Sequence, residues 1–255
     1  MRVAHRVTGR PGAPTVVLSN SLGATWEMWD ANLAEWERHF RVVRFDTRGH
    51  GRSPVPPGPY TIDDLTDDAV DLLDMLEIER AHFVGLSLGG MIGLRLAARN
   101  PARVDRLVVL CTGARLDPRS AWSDRAALVR SHGTAAVAEA VVRRWYTDDW
   151  IVDHEDVRKE SEEMVASTPP DGYAACCEVI ATMDLLDDLP VVVAPTLAIA
   201  GAEDPATPPW LLEQIATSVA DGKLLVVPDA AHLASVERPD VVTPAVVAHL
   251  LEDGS

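Results

Sequence analysis

The chain is 255 residues long and 47% hydrophobic, which suits one large domain with an ample buried core. A formal net charge of −16 argues against nucleic acid or an anionic membrane surface as a partner. Three cysteines, two of them adjacent, suit a reducing compartment and no disulfide scaffold.

Residues 1–12 include basic side chains but no apolar core of signal-peptide length, and no later run reaches membrane-spanning length. The expected location is the cytoplasm. Thr15–Ser19 reads as a first strand, ending in Asn20-Ser21-Leu22-Gly23. Trp26, Trp29, Leu33, Trp36 and Phe40 then recur at helical spacing, a pattern of core packing. A second strand at 42–46 runs into Asp46-Thr47-Arg48-Gly49-His50-Gly51-Arg52-Ser53. That segment is polar and tightly turned, and Asp46 and His50 are expected to brace it. A Pro-rich loop at 54–59 leads to a helix over 61–78. Its six aspartates (63, 64, 67, 68, 71 and 74) form a solvated face opposite Ile62, Leu65, Ala69, Leu72, Leu73 and Leu76. Thr61 with Asp64 has the form of a capping box.

The apolar run 82–84 meets Gly85-Leu86-Ser87-Leu88-Gly89. A helical pattern follows at once and stops at Asn100-Pro101. This is a strand, a sharp turn and a helix with a serine at the apex. Side chains at Gly85 and Gly89 would collide across the turn, and the Leu88 amide opens the helix beside the serine hydroxyl. A strand at 106–111 comes next. The alternation of strand and helix favours a mostly parallel sheet with helices on both faces, an α/β fold.

Residues 116–190 break this rhythm with four helix-like stretches, near 120–131, 134–147, 153–166 and 171–183. They read as a helical cap, or lid, inserted into a core made of 1–115 and 191–255. Strands return at 196–200 and 223–227, and a last helix is predicted to begin at Thr243-Pro244.

A nucleophilic serine needs a base with a carboxylate behind it. The strand at 196–200 ends in Gly201-Ala202-Glu203-Asp204, and the strand at 223–227 ends in Pro228-Asp229-Ala230-Ala231-His232. Ser87, Asp204 and His232 thus stand in order at strand ends that share one sheet edge. Glu203 is the rival acid, and Asp229 is read as a turn cap. His5, His39, His82, His132, His154 and His249 follow no late strand. The Leu22 and Leu88 amides are the candidate oxyanion donors. Cys176 and Cys177 lie mid-helix and read as small packing residues. No CxxC or HExxH spacing occurs, so no metal is expected.

The 85–90 turn, the 46–53 segment, Asp204 and His232 together resemble the α/β-hydrolase superfamily over essentially the whole chain. Three segments resemble the 3-oxoadipate enol-lactonases of the β-ketoadipate pathway of aromatic catabolism. They are Ser19-Asn20-Ser21-Leu22-Gly23, Arg143-Arg144-Trp145-Tyr146-Thr147, and the run from Thr168 that contains Gly172-Tyr173-Ala174-Ala175-Cys176-Cys177. Tyr146 stands where the family pattern has Phe. Some members carry a fused decarboxylase domain, which is not expected here.

The resemblance implies a cofactor-free carboxylic ester hydrolase acting on a small anionic lactone. Ser87 is its nucleophile, His232 its base and Asp204 the group orienting that base. It also implies a cationic grip on the substrate from Arg143 or Arg144, beside Trp145. On a helix, Arg144 and Trp145 flank the face marked by Val137 and Val141 while Arg143 points nearly opposite that face, so only one of the two arginines can readily meet a pocket, and the sequence does not say which. Other esterases, meta-cleavage C–C hydrolases and perhydrolases share the scaffold, as does a slow, receptor-like lactone binder.

Overall fold

In the computed structural model, which describes residues 1–252, seven strands form one sheet in the order β1-β3-β2-β4-β5-β6-β7. They are β1 (His5–Gly9), β2 (Thr15–Ser19), β3 (Arg41–Phe45), β4 (Ala81–Leu86), β5 (Val104–Leu110), β6 (Thr196–Gly201) and β7 (Gly222–Val227). Only β1 runs antiparallel, against β3; every other pairing is parallel. β4 and β6 are buried along their whole length, as strands covered on both faces must be.

Helices α1 (Asp30–His39), α2 (Ile62–Met75), α3 (Leu88–Arg99), α9 (Pro209–Ser218), α10 (Ala234–Glu237) and α11 (Pro239–Leu250) surround the sheet. α1 packs on α11, and α2 on α3. Right-handed crossovers put these two pairs on opposite faces, because the chain reverses direction across the sheet after β3. Trp29, Trp36 and Phe40 are fully buried, and Trp26 nearly so, as their spacing predicts. The Thr61–Asp64 capping box forms. One aspartate departs from the solvated face: Asp68 is buried against Arg48 and the N-terminal amine.

The reversal also positions the site. β2 and β4 are neighbours whose chains leave in opposite directions, which opens a crevice beyond their C-terminal ends. Ser19 pairs with Gly85, so the 20–23 turn and Ser87 emerge side by side.

Five helices lie between β5 and β6: α4 (Arg119–His132), α5 (Ala135–Val142), α6 (Asp148–Asp153), α7 (Glu155–Ala166) and α8 (Pro170–Thr182). α4 packs on α8 and α5 on α7. α8 docks on the 46–53 turn by direct backbone contact. A Cβ on Gly172 would lie 2.3 Å from the Gly49 carbonyl oxygen. This contact explains the glycine in Gly172-Tyr173-Ala174-Ala175.

Three elements differ from the sequence reading. β1 was missed because its alternating polar residues, HRVTG, form a half-exposed edge strand. The stretch 134–147 is helical over a shorter length, α5 ending at Val142, and a separate, unforeseen piece, α6, opens beyond it at Asp148. Tight i→i+3 bonds to the Val141 and Val142 carbonyls close the first piece. The last helix begins at Pro239, not Thr243, with Pro244 inside it. Pro244 and Asp240 are both exposed, so the carbonyl deprived of its helical donor can be solvated. Among the described residues no helix is long and apolar enough to cross a membrane.

Candidate active site

Ser87 sits between β4 and α3 with φ 55° and ψ −114°, a conformation that costs a non-glycine residue about 1–3 kcal/mol. The turn is held by the Ser87 amide donating to the Leu110 carbonyl and by Thr112 Oγ1 donating to the Ser87 carbonyl. Its glycines are required by space. A Cβ on Gly85 would lie 2.1 Å from the Gly89 carbonyl oxygen, and one on Gly89 2.1 Å from that of Ser19.

Leu88 opens α3, so its amide belongs to the turn that has no acceptor within the helix. In the 20–23 turn, the Ser21 amide points at Met28 Sδ and the Gly23 amide donates to His50 Nε2 at 3.0 Å. The Leu22 amide between them has no acceptor among the described residues. Two unpaired N–H groups thus belong to the two loops at the crevice, the arrangement an oxyanion requires.

His50 braces this turn. It is fully buried, and Nε2 accepts from Gly23 while Nδ1 faces the Arg48 carbonyl at 3.2 Å. That pair of contacts selects the neutral ring with its proton on Nδ1. Burial depresses its pKa to about 4, against a smaller opposing effect of the Arg48 carbonyl. Asp46 braces the same loop by accepting from the Trp26 and Arg52 amides. His50→Leu should strand the buried Gly23 amide, loosen the Leu22 donor and lower kcat about 10- to 100-fold. His50→Gln, whose carbonyl can accept from Gly23, should restore most of it in the same steady-state assay. Because folding depresses the pKa of this imidazole, its contribution to stability falls as pH drops from 6.5 towards 4. His82 and His249 are depressed by burial too, so His50→Gln should flatten only part of that limb of the Tm–pH curve.

His232 follows β7 and Asp204 follows β6. His232 Nδ1 lies 2.7 Å from Asp204 Oδ2, and both residues are buried. Thr207, which the sequence reading missed, donates its hydroxyl to the same carboxylate oxygen at 2.6 Å. The Ala206 and Thr207 amides donate to Asp204 Oδ1. Burial alone would raise this carboxyl's pKa, but His232 and these donors outweigh it and hold it at about 2. The stabilisation this gives is complete above the ordinary value of 3.8 and is lost as pH falls towards 2. Glu203 is exposed and outside this network, and Asp229 points to solvent near Arg238. Glu237 is buried and ties the His232 loop to the inserted helices. It accepts from the Ala231 amide and from the Thr147 amide and hydroxyl.

Ser87 and His232 line one cavity of about 440 Å³, roofed by the inserted helices. No hydrogen bond joins the two side chains here, the loose spacing common in sites before substrate closes them. Arg144 and Trp145 line this cavity, whereas Arg143 is exposed and outside it. The expectation for Arg143 is therefore corrected. It sits two residues after the buried Val141, about 200° around the helix, while Arg144 returns to the Val141 face.

Sequence reasoning also missed Arg125, on α4, which lines the cavity. Its signal was the stripe Trp122, Ala126, Val129, where Arg125 is a cation on the inward face of a helix. Cys176 and Cys177 are buried, and burial pushes the Cys177 thiol up to about 12, so both serve as packing. Among the described residues no cluster of three His, Cys, Asp or Glu could hold a metal ion.

Comparison with known proteins gives a consistent picture. Residues 14–239 match the family model for the α/β-hydrolase fold. 3-Oxoadipate enol-lactonase 2 of Acinetobacter baylyi is 37% identical over 94% of this chain and 90% of its own length. The crystal structure of the enol-lactonase from Burkholderia xenovorans superposes with a TM-score of 0.96. It is 40% identical, over 98% of this chain and 96% of that one. A protein of Yersinia enterocolitica named Putative carbamate hydrolase RutD is 33% identical over 97% of this chain and 91% of its own.

Proposed function

The chain belongs to the α/β-hydrolase family, and we propose that this hydrolase opens the ring of 3-oxoadipate enol-lactone, giving 3-oxoadipate in the β-ketoadipate pathway of aromatic catabolism. The observation that carries the reading is a cavity lined by Ser87, His232 and two arginines, Arg125 and Arg144, that make no ion pair among the described residues. An ester enters such a site best when it is small and carries a carboxylate.

In this reading His232 Nε2 takes the Ser87 proton as Oγ attacks the lactone carbonyl. Asp204, ionised at any physiological pH, keeps the other ring nitrogen protonated and stabilises the imidazolium. The Leu22 and Leu88 amides receive the oxyanion. Collapse of the tetrahedral adduct breaks the ring C–O bond. The leaving group is an enolate, which takes the His232 proton, so that the ring is again free to act as a base, and ends as a ketone. Water, deprotonated by His232, then attacks the acyl-serine and releases the second carboxylate. The inserted helices act as the lid that keeps bulk water from the acyl-enzyme, with Glu237 and the Leu233–Trp145 backbone bond tying lid to base.

Steady-state loss of the enol-lactone's ultraviolet absorbance tests the reading. Turnover that exceeds hydrolysis of a panel of p-nitrophenyl esters, and of a carbamate, supports it. A folded protein that spares the lactone and cleaves those others overturns it.

A further inference from the structure

Three cations line the cavity wall. Arg115 is neutralised by Asp117 and Asp184. Arg125 and Arg144 make no ion pair with any described residue, although they come from separate parts of the chain, α4 and the turn that follows α5, and repel one another. Arg144 is partly withdrawn from water. Burial, and after it the neighbouring Arg125 charge, depress its pKa. Arg125 is held in place by stacking, its guanidinium carbon 4.5 Å from the centre of the Trp122 ring. Near both stands Tyr173, on α8. It lines the same cavity, is 0% exposed, and its hydroxyl has no hydrogen-bond partner. That hydroxyl lies within the field of both guanidiniums, and its approach to Arg125 falls short of hydrogen-bond geometry.

Two like charges kept together on one cavity wall, beside a buried hydroxyl with nothing to bond, is an arrangement that loses stability unless an anion completes it. A carboxylate supplies two oxygens with about four acceptor positions, matching two guanidinium forks and one phenol. We infer that Arg125, Arg144 and the Tyr173 hydroxyl form a carboxylate clamp that bridges α4, the turn after α5 and α8 and selects an anionic substrate over its neutral ester. The clamp deepens the lactonase reading, on which the identity of the substrate rests. It gives Arg125 and Tyr173 roles in specificity, and it makes the substrate's own charge the tie between separate helices of the lid. The tyrosine of the Gly172-Tyr173-Ala174-Ala175 run is thereby explained as well as its glycine.

The test separates clamp from reaction. Adipate, a six-carbon dicarboxylate, is titrated into Ser87→Ala protein, followed by the fluorescence of Trp122, Trp145 and Trp210, which line the cavity. Adipate should bind, and its dimethyl ester should bind at least about tenfold more weakly. Arg125→Met and Arg144→Met, each added to Ser87→Ala, should weaken adipate at least about tenfold, Tyr173→Phe by less, and Arg125→Lys by an intermediate factor. In the Ser87 protein, Arg125→Met should raise KM for the enol-lactone at least about tenfold, more than it lowers kcat. It should also shrink the preference for the lactone over its methyl ester. Adipate binding that Arg125→Met and Arg125→Lys both leave unchanged, in proteins with wild-type denaturation midpoints, overturns the clamp. Adipate binding that depends on both arginines in a protein that does not open the lactone keeps the clamp and discards the lactonase reading. Lactone turnover with KM unchanged in Arg125→Met does the reverse.

Discussion

Ser87→Ala should retain no more than about one part in 10⁴ of kcat, because in the proposed mechanism the nucleophile, its base and the orienting acid act as one unit. His232→Ala should do the same, and Asp204→Asn should lose nearly as much by releasing the ring tautomer that Oδ2 now fixes at 2.7 Å. The nucleophile's backbone adds a second, opposite effect. Ser87 holds φ 55°, ψ −114°, where only glycine rests without strain. Ser87→Gly should therefore be as inactive as Ser87→Ala and yet raise the denaturation midpoint, by about 1 kcal/mol of stability. A residue whose removal abolishes turnover while stabilising the fold is kept for chemistry. A Ser87→Gly protein less stable than wild type, or one that still turns over the lactone, would remove Ser87 from the role given to it.

Gly85→Ala should be among the most damaging single methyl additions in the chain for stability, costing more than about 4 kcal/mol or preventing folding. The new Cβ would sit 2.1 Å from the Gly89 carbonyl oxygen and 2.3 Å from its carbon, both main-chain atoms of the first turn of α3. No rotamer can relieve this, and moving α3 would break its seat on β2 at Ser19. Gly133→Ala is the control. It has a positive φ of 79° with ψ 167°, which Gly85 lacks, but nothing within 4 Å of the added carbon, so its cost is backbone strain alone, about 1–3 kcal/mol. Urea denaturation of the two variants gives the comparison directly, and equal costs would refute the steric account of the turn.

The glycines of the turn show why so much of this site was legible beforehand. Gly85, Ser87 and Gly89 lie within five residues, and their contacts are dictated by local backbone geometry. The order of Ser87, Asp204 and His232 along the chain was equally readable, because parallel strands align their C-terminal ends whatever lies between them. Core residues such as Trp29 and Trp36 follow from periodicity alone. Errors fell where a local signal competes with a distant partner. β1 is held by β3 across more than thirty residues, and Pro244 looked like a helix start although the buried face of α11 had already begun at Val242.

What the sequence determined by itself is the turn, the triad's order, the unpaired Leu88 amide and the α/β alternation, since each depends on short-range sterics or on periodicity. The tertiary structure decided which of Arg143 and Arg144 meets the cavity, that Arg125 joins it, that Tyr173 stands unpartnered beside them, and that His50 holds the Gly23 amide. These depend on how helices from distant parts of the chain are rotated and docked against one another. The backbone contact of Gly49 with Gly172 sets that docking across more than a hundred residues, a distance over which no sequence period carries information.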